Sequence, residues 1–294
     1  MVIVIVGPTG VGKTKLSIEL AKQLNGEIIN ADSTQVYRGM DIGTAKVTSE
    51  EMDGVVHHLL DIRNIDEDYT VYDYQKDSRE CIDEIISRGK TPIMVGGTGL
   101  YIKASLYNYE FEDEDNKSYV DENLSNDELY EMLLKIDKDT TIHKNNRKRV
   151  IRALNYYYKN GKVMDNHSDK ILYDALFIGL TTDRDTLYNR INDRVDVMVN
   201  NGLLEEAKRI YDSNIRSKAV MTPICYKELF PYFEGTKSLE ECLDDIRQSS
   251  RKYAKRQYTW NKHQFDVKWF DVDFDNFNNT LVKVLEYIRN VKSS

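Results

Sequence analysis

The sequence predicts an α/β fold, in which a P-loop NTPase-like parallel-sheet core carries a helical insertion subdomain. Three observations support this prediction. β-Branched residues fill the segment 2–6 and lead directly into the phosphate-binding pattern Gly7-x-x-x-x-Gly12-Lys13-Thr14. Strand and helix patterns then alternate over roughly the first hundred residues. An acidic, helical stretch begins near Phe111 and interrupts the alternation until a strand pattern returns at Ala175.

The elements of the first part follow from periodicity and from stop signals. Leucines 16, 20 and 24 share one face of a helix, and Asn25-Gly26 is a typical helix end. A second helix pattern closes at Gly89, and a second apolar strand enters the glycine-rich turn 96–99. The predicted elements are, in order, the strand 2–6, the helix 13–24, the strand 27–32, the helix 72–88 and the strand 91–95.

The later elements divide the chain into a core and an insertion. Helical patterns extend from the acidic stretch to Asn160, a strand is predicted at 175–180, and helices follow until a late strand at 267–270. An insertion of roughly 60 residues is long enough to form a subdomain. We therefore predict a core formed by residues 1–111 and 171–294, and a helical insertion at 112–170.

The composition is that of an ordinary globular protein, with 40% hydrophobic and 31% charged residues. No apolar run is long enough to span a bilayer, so we expect no membrane association. The three cysteines, Cys81, Cys225 and Cys242, fit neither a disulfide framework nor a zinc site, which favours a reducing, cytoplasmic location. Nothing in the sequence requires more than a monomer.

The net charge of −8 argues against a polyanionic partner, but the charge is unevenly distributed. Residues 110–128 contain nine acids and one lysine, whereas residues 144–152 contain five basic residues and no acid. A second acid-free window, 247–262, holds six basic residues with interleaved aromatic ones. Either window could be a solvated helix face. The two together favour contact with a nucleic acid.

The order of residues in the phosphate loop suits an anion. Glycines let backbone N–H groups turn toward phosphate oxygens, and the following helix directs its positive end at the same anion. Lys13 is expected to reach the outer phosphates and the Thr14 hydroxyl to hold Mg²⁺. The pattern does not show whose phosphates are bound. The loop consists of Gly7, Pro8, Thr9, Gly10, Val11, Gly12, Lys13 and Thr14.

Other polar residues are predicted near the same edge of the sheet. Asp32 ends a predicted strand and is read as a general base or a carboxylate near Mg²⁺, with a helix N-cap as the alternative. Thr98 lies in a glycine-rich turn that permits close approach of a ligand, although a plain turn is also possible. Arg190 and Arg194 are candidates for stabilising negative charge, or for surface ion pairs. The pair His57-His58 lacks metal-ligand spacing, so a structural or substrate-contact role is favoured.

Taken together, these segments resemble the tRNA dimethylallyltransferase family along nearly the whole chain. One such motif is a weak signal, but nine in the family's order are a strong one. The matching segments are Gly7-Pro-Thr-Gly-Val-Gly-Lys-Thr14, Asp32-Ser-Thr-Gln35, Gly39-Met-Asp-Ile-Gly-Thr-Ala-Lys46, His57-His-Leu-Leu-Asp61, Gly96-Gly-Thr-Gly-Leu-Tyr101, Arg149-Val-Ile-Arg-Ala-Leu154, Arg194-Val-Asp-x-Met198, Tyr226-Lys-Glu-Leu229 and Tyr253-Ala-Lys-Arg-Gln257.

The resemblance implies a reaction and its partners. A dimethylallyl group passes from dimethylallyl diphosphate to N6 of adenosine 37 in tRNA, whose anticodon stem-loop is held by the helical insertion. Residues 9–14 would hold the diphosphate, and Asp32 would take a proton from N6. Ser33, Thr34, Gln35 and Thr98 would touch the adenine.

Two further sets of residues follow from the resemblance. An arginine of the helix would assist the leaving diphosphate; Arg194 is the first candidate and Arg190 the second. The residues expected to contact RNA lie in the segments 148–152, 222–227 and 255–262 or beside them, namely Lys148, Arg149, Val150, Ile151, Arg152, Tyr226, Lys227, Arg251, Lys255, Arg256 and Lys262.

Two departures and two rival functions accompany this hypothesis. The chain has Pro223-Ile224-Cys225 where the family usually has Ala-Ile-Gly, and the insertion is unusually acidic at 112–115. A small-molecule P-loop kinase would share the loop, the strand-end aspartate and the arginine-bearing helix. A nucleotide-regulated RNA-binding module would leave Asp32 and Thr98 without a role.

Overall fold

The computed structural model describes residues 1–109, 118–163 and 170–293. These residues form two compact units, one built from 1–107 and 171–294 and the other from 108–170. The predicted domain boundary at 111–112 and the acidic residues 112–115 lie outside the described residues. None of the described helices has the length and apolar character that a membrane span requires.

The first unit is built on a parallel six-stranded sheet with the strand order β3-β2-β4-β1-β5-β6. The strands are β1 Val2–Val6, β2 Gly26–Asn30, β3 His57–His58, β4 Thr91–Val95, β5 Ala175–Thr181 and β6 Lys268–Asp271. All five residues of β1 are buried because the strand lies in the middle of the sheet with helices on both faces. The predicted α/β core of parallel strands is therefore confirmed.

The hydrophobic core lies on both faces of this sheet. Alternate residues of β1 point to opposite faces, so Val2, Val4 and Val6 pack in one cluster and Ile3 and Ile5 in the other. The helices of this unit are α1 Lys13–Gln23, α2 Ser49–Met52, α3 Val71–Ser87, α4 Gly99–Leu106, α7 Arg184–Asn200, α8 Leu203–Asp212, α9 Lys218–Met221, α10 Tyr226–Phe233, α11 Leu239–Gln264 and α12 Phe277–Ser293.

The second unit is helical in its described part, with α5 Asn126–Ile136 and α6 Arg147–Asn160. Ser125 caps α5, since its side chain accepts a hydrogen bond from the Glu128 backbone N–H and the Glu128 carboxylate accepts one from the Ser125 backbone N–H. The two helices share a small core of Leu129, Leu133, Val150 and Leu154. This arrangement leaves much of the basic surface of α6 exposed to solvent.

The sequence missed one strand and misplaced the end of another. β3 was not predicted because it consists of two histidines only, which is too short for an alternating pattern. His57 and His58 pair with Ile28 and Ile29 of β2. β2 ends at Asn30 rather than Asp32, because the Asn30 side chain accepts the Asp32 backbone N–H and turns the chain. Asp32 consequently lies in the loop beyond the strand, where its carboxylate faces the pocket.

Candidate functional site

The loops that follow β1, β2 and β4 surround a pocket of about 440 Å³ at the carboxyl edge of the sheet. The first unit alone supplies its lining. The predicted residues Lys13, Asp32, Thr98 and Arg194 all line this pocket. Four residues from four separate parts of the chain are thus brought together at one site.

The phosphate loop has the backbone that an anion cradle requires. Gly12 precedes α1 with φ of 98°, a left-handed conformation that glycine adopts without strain. The Lys13 ammonium donates hydrogen bonds to the carbonyls of Gly7 at 3.0 Å and Pro8 at 2.9 Å. Burial, reinforced by the nearby Arg194 charge, lowers the pKa of Lys13 to about 8, although Asp32 opposes the shift. Thr14 is exposed, and among the described residues its hydroxyl makes no hydrogen bond.

Asp32 is held by its own loop and leaves one carboxylate oxygen toward the pocket. Oδ1 accepts hydrogen bonds from the Thr34 backbone N–H at 2.9 Å and from the Thr34 hydroxyl at 2.6 Å. Oδ2 lies near Gly97, where an added Cβ would come within 3.3 Å of it. The carboxylate is therefore fixed in orientation, with Oδ2 placed to accept a proton from a ligand.

Thr98 ties the loop after β4 to the loop after β2. Its hydroxyl accepts the Ser33 backbone N–H at 3.0 Å and donates to the Ser33 hydroxyl at 3.1 Å. The Thr98 backbone N–H donates to the Ala31 carbonyl at 3.0 Å. This residue aligns the two loops at the point where Asp32 lies.

Arg190 and Arg194 project from α7 toward the phosphate loop. Arg190 Nε donates to the Gly10 carbonyl at 3.1 Å, and its guanidinium lies 3.9 Å from the ring centroid of Phe274. Arg194 lies deeper, with Nη1 at 3.5 Å from the Thr9 hydroxyl. Both guanidinium groups thus contact the cradle directly, and neither forms an ion pair among the described residues.

One face of α11 contacts the loops of the pocket through Tyr253 and Gln257. The sequence placed residues 255–262 among the RNA contacts and did not predict these loop contacts. Gln257 accepts the Thr9 backbone N–H at 2.8 Å and donates to the Gly97 carbonyl at 3.2 Å. Tyr253 donates to the same carbonyl at 3.4 Å. The available signal was the motif Tyr253-Ala-Lys-Arg-Gln257, whose first and last residues are one helical turn apart and share a face.

Glu206 shapes the loop that lines the pocket near Gln35. Its buried carboxylate accepts the backbone N–H groups of Asp41, Ile42 and Gly43 at 2.9–3.0 Å. The Gln35 side chain donates to the carbonyls of Thr44 at 3.0 Å and Ala45 at 3.3 Å on the same loop. The other predicted base-contact residues, Ser33 and Thr34, also line the pocket.

Cys225 lines the pocket with a backbone that is unusual for its residue type. It is buried, with φ of 101° and ψ of −45°. Glycine, which the family resemblance leads one to expect here, adopts such angles without strain. Burial raises the pKa of its thiol.

The predicted RNA contacts differ in accessibility. Lys148, Arg149 and Arg152 are exposed on α6, and Ile151 is half-buried. On α11, Lys255, Arg256 and Lys262 are exposed, whereas Arg251 is half-buried and donates to Asn192 at 2.6 Å. Lys227 is half-buried and donates to the Met221 carbonyl.

Two predicted contacts are wrong as side-chain contacts. Val150 is fully buried in the core of the second unit. Tyr226 is fully buried, and its hydroxyl donates to Glu206 at 2.8 Å. Tyr156, one helical turn beyond Arg152 on α6, is also buried. Arg247, at the start of the second basic window, forms ion pairs with Asp196, Glu240 and Asp244, so its charge is already matched.

The two histidines have structural partners. His57 Nδ1 lies 2.9 Å from the Val55 carbonyl, and His58 Nε2 lies 2.7 Å from Glu27. Glu27 is buried and also binds Arg88 and Lys90. The Arg88 hydrogen bonds, supported by those of Lys90 and His58, lower its pKa to about 2 against the effect of burial.

Comparison with known proteins gives a consistent result. The family model described as IPP transferase matches residues 35–264. The chain is 48% identical over 297 residues to a tRNA dimethylallyltransferase of Anoxybacillus flavithermus, covering 98% of this chain and 96% of that protein. It is 49% identical over 284 residues to the Bacillus subtilis protein of the same name, covering 92% and 90%.

Solved structures agree. A tRNA delta(2)-isopentenylpyrophosphate transferase from Staphylococcus epidermidis superposes with a TM-score of 0.75 at 45% identity, covering 98% of each chain. A eukaryotic dimethylallyltransferase acting on tRNA superposes with a TM-score of 0.84 at 33% identity, covering 98% of this chain and 79% of the other.

Proposed function

The chain belongs to the tRNA dimethylallyltransferase (IPP transferase) family, and we propose that it transfers a dimethylallyl group to N6 of adenosine 37 in tRNA. The donor is dimethylallyl diphosphate, and diphosphate is released. The observation that carries this proposal is the convergence of Asp32 and the phosphate loop on one pocket. A prenyl transfer needs both groups there, a base for the amine and a cationic cradle for the leaving diphosphate.

Asp32 is the proposed general base. The exocyclic amine of adenine is a poor nucleophile, and it must lose a proton as its bond to carbon forms. Asp32 Oδ2 faces the pocket while Oδ1 is occupied by Thr34, so one oxygen orients the group and the other remains for the amine. The target base lies in a single-stranded loop, where unstacking costs least.

The phosphate loop is the proposed grip on the leaving group. Cleavage of the allylic carbon–oxygen bond places negative charge on the diphosphate, and preorganised N–H groups and cations stabilise it. Lys13 donates a hydrogen bond to the Gly7 carbonyl within the cradle. Arg190 and Arg194 contact Gly10 and Thr9 of the cradle from α7. The phosphates thus stay in the cradle while the prenyl group departs.

Mg²⁺ is the proposed cofactor, and the structure offers a suitable protein ligand. The Thr14 hydroxyl is exposed beside the cradle, and it has no hydrogen-bond partner among the described residues. Mg²⁺ prefers oxygen ligands and keeps several waters, so one hydroxyl and diphosphate oxygens form a fitting set. When bound, the ion would neutralise part of the diphosphate charge.

The tRNA is proposed to contact basic surfaces on both units. Lys148, Arg149 and Arg152 on α6 are exposed and form no ion pair among the described residues. Lys255, Arg256 and Lys262 on α11 are also exposed. Exposed cations of this kind can bind phosphate groups without first breaking an ion pair.

Two further parts of the proposal concern the working state of the enzyme. We propose that it acts as a monomer, since Lys13, Asp32, Thr98 and Arg194 of one chain already converge on one pocket. We also propose a cytoplasmic location, which suits its tRNA substrate. Free Cys81, Cys225 and Cys242 are compatible with a reducing compartment.

The function is tested by mass spectrometry of unmodified tRNA incubated with the protein, dimethylallyl diphosphate and Mg²⁺. We expect a gain of one prenyl group per tRNA, located at adenosine 37 after nuclease digestion. A tRNA with guanosine at that position serves as the control and should remain unmodified. Phosphate transfer from ATP to a small molecule, with the tRNA unchanged, would instead support a kinase.

Arg149→Ala is expected to weaken tRNA binding in a salt-dependent way. Removing one phosphate contact lowers the slope of log K against log salt by about 0.7–0.9. Fluorescence anisotropy at several salt concentrations measures this slope. Lys135→Ala removes an exposed charge from α5 of the same unit, outside the basic window, and is the matched control. Equal slopes for wild type and Arg149→Ala would make this residue a solvated surface cation.

A further inference from the structure

We propose that Gln257 is a positioning residue that holds the diphosphate loop and the glycine loop 96–99 at the separation required for prenyl transfer. The inference rests on the function proposed above. Gln257 lies on α11, far along the chain from both loops, and no other described side chain hydrogen-bonds to both.

Both ends of the Gln257 amide are hydrogen-bonded. Its Oε1 accepts the Thr9 backbone N–H at 2.8 Å, and its Nε2 donates to the Gly97 carbonyl at 3.2 Å. The side chain is buried, with 6% of its surface exposed. A backbone N–H can only donate and a carbonyl can only accept, so these two partners fix the orientation of the amide.

The two loops joined by Gln257 serve the two substrates. Thr9 belongs to the cradle that follows β1, and Gly97 precedes Thr98 in the loop that follows β4. Thr98 in turn binds Ser33, next to Asp32. Gln257 therefore connects the loop proposed to hold the diphosphate to the part of the pocket that contains Asp32, where the adenine is proposed to bind.

Few residue types could form this bridge. The bridge needs a neutral side chain with an acceptor and a donor at a fixed separation, which an amide provides. A carboxylate would place negative charge beside the diphosphate and oppose the Gly97 carbonyl. The approach is so close that a Cβ at Gly97 would lie 2.2 Å from Gln257 Nε2. A side chain at position 97 would therefore displace the Gln257 amide from the Gly97 carbonyl.

Alignment of two loops affects turnover more than binding. The bond from the prenyl carbon to the diphosphate oxygen breaks as the bond to N6 forms, so both substrates must lie in line. A misplacement of about 1 Å between reacting groups can lower a rate by about 100-fold. Each substrate can nonetheless bind to its own loop when the bridge is absent.

The test measures single-turnover rates with both substrates saturating, together with separate binding of dimethylallyl diphosphate and tRNA. We expect Gln257→Ala to lower the rate by about 100-fold while each dissociation constant changes by less than about fivefold. Gln248→Ala is the matched control, since Gln248 is an exposed glutamine on the same helix whose side chain, among the described residues, bonds only Lys252. A rate for Gln257→Ala within about threefold of wild type would overturn the proposal.

The pH dependence of the Gln257→Glu rate distinguishes hydrogen bonding from packing, because a side chain that only fills space would not make the rate depend on its protonation. When protonated, the glutamic acid can accept from Thr9 and donate to Gly97, whereas the carboxylate cannot donate. We therefore expect its rate relative to wild type to rise as the pH falls from about 8 to about 6. A ratio that is independent of pH would contradict the bridging role, and this near-isosteric variant carries the test if the alanine variant fails to fold. Absence of prenyl transfer by the wild type would instead refute the proposed function.

Discussion

Asp32→Asn is expected to lower the turnover of tRNA prenylation by about 10³-fold, since general bases contribute about 10²–10⁴-fold. Asparagine retains an oxygen that can accept the Thr34 hydrogen bonds, so the loop geometry should survive. It cannot take a proton from the adenine amine. Single-turnover measurements with saturating tRNA and dimethylallyl diphosphate isolate this step from binding.

The Asp32 assignment has a binding control and a charge control. The dissociation constant for tRNA should change by less than about threefold, because the lost group acts on the proton. Asp66→Asn removes a charge from an exposed carboxylate outside the pocket lining and should behave as wild type. Lost tRNA binding with normal turnover in the remaining complex would assign Asp32 to recognition instead of catalysis.

The parts of the site that the sequence predicted well are those with local patterns. The cradle is contiguous from Gly7 to Thr14, and its helix starts at Lys13 as predicted. Asp32 and Thr98 each follow a strand with a clear apolar pattern. Since the carboxyl ends of parallel strands meet at one edge, the sequence was sufficient to predict that these residues converge.

The missed parts depend on contacts between distant segments. Gln257 and its hydrogen-bond partner Thr9 are 248 residues apart in the sequence. Glu206 and its partner Gly43 are 163 residues apart. No local periodicity encodes such a pairing, because it arises only when helices pack on the finished sheet. Phe274 stacks on Arg190 for the same reason.

Val150 illustrates how a motif can mislead where periodicity does not. The resemblance placed it in an RNA-contacting segment, whereas its spacing of four residues from Leu154 puts both side chains on one face of α6. The structure buries both residues completely. A single motif segment thus contains both exposed residues that are available to a partner and buried residues that hold the helix in place, and burial separates the two.

Lys13→Met is expected to lower turnover by about 10²–10³-fold, the loss typical of removing one donor to a developing anion. Lys13 is the cation of the phosphate loop, and its ammonium donates hydrogen bonds to the Gly7 and Pro8 carbonyls. Lys22→Met, on the last turn of the same helix, removes a surface ion pair with Asp53 and should retain activity.

The pH dependence of diphosphate binding tests the same residue independently. In the protein without ligand, burial and the adjacent Arg194 charge lower the pKa of Lys13 to about 8. A bound diphosphate would raise this pKa, because its negative charge stabilises the protonated amine. Below about pH 8 Lys13 is already charged, so binding takes up no proton there; above it the amine must be protonated on binding. The dissociation constant for dimethylallyl diphosphate should therefore rise above about pH 8, by up to about tenfold per pH unit. Calorimetric titrations in buffers of different ionisation enthalpy measure the proton uptake, and Lys13→Met should lack it. Equal proton uptake by both proteins would place the titrating group elsewhere and remove the basis for assigning the leaving-group contact to Lys13.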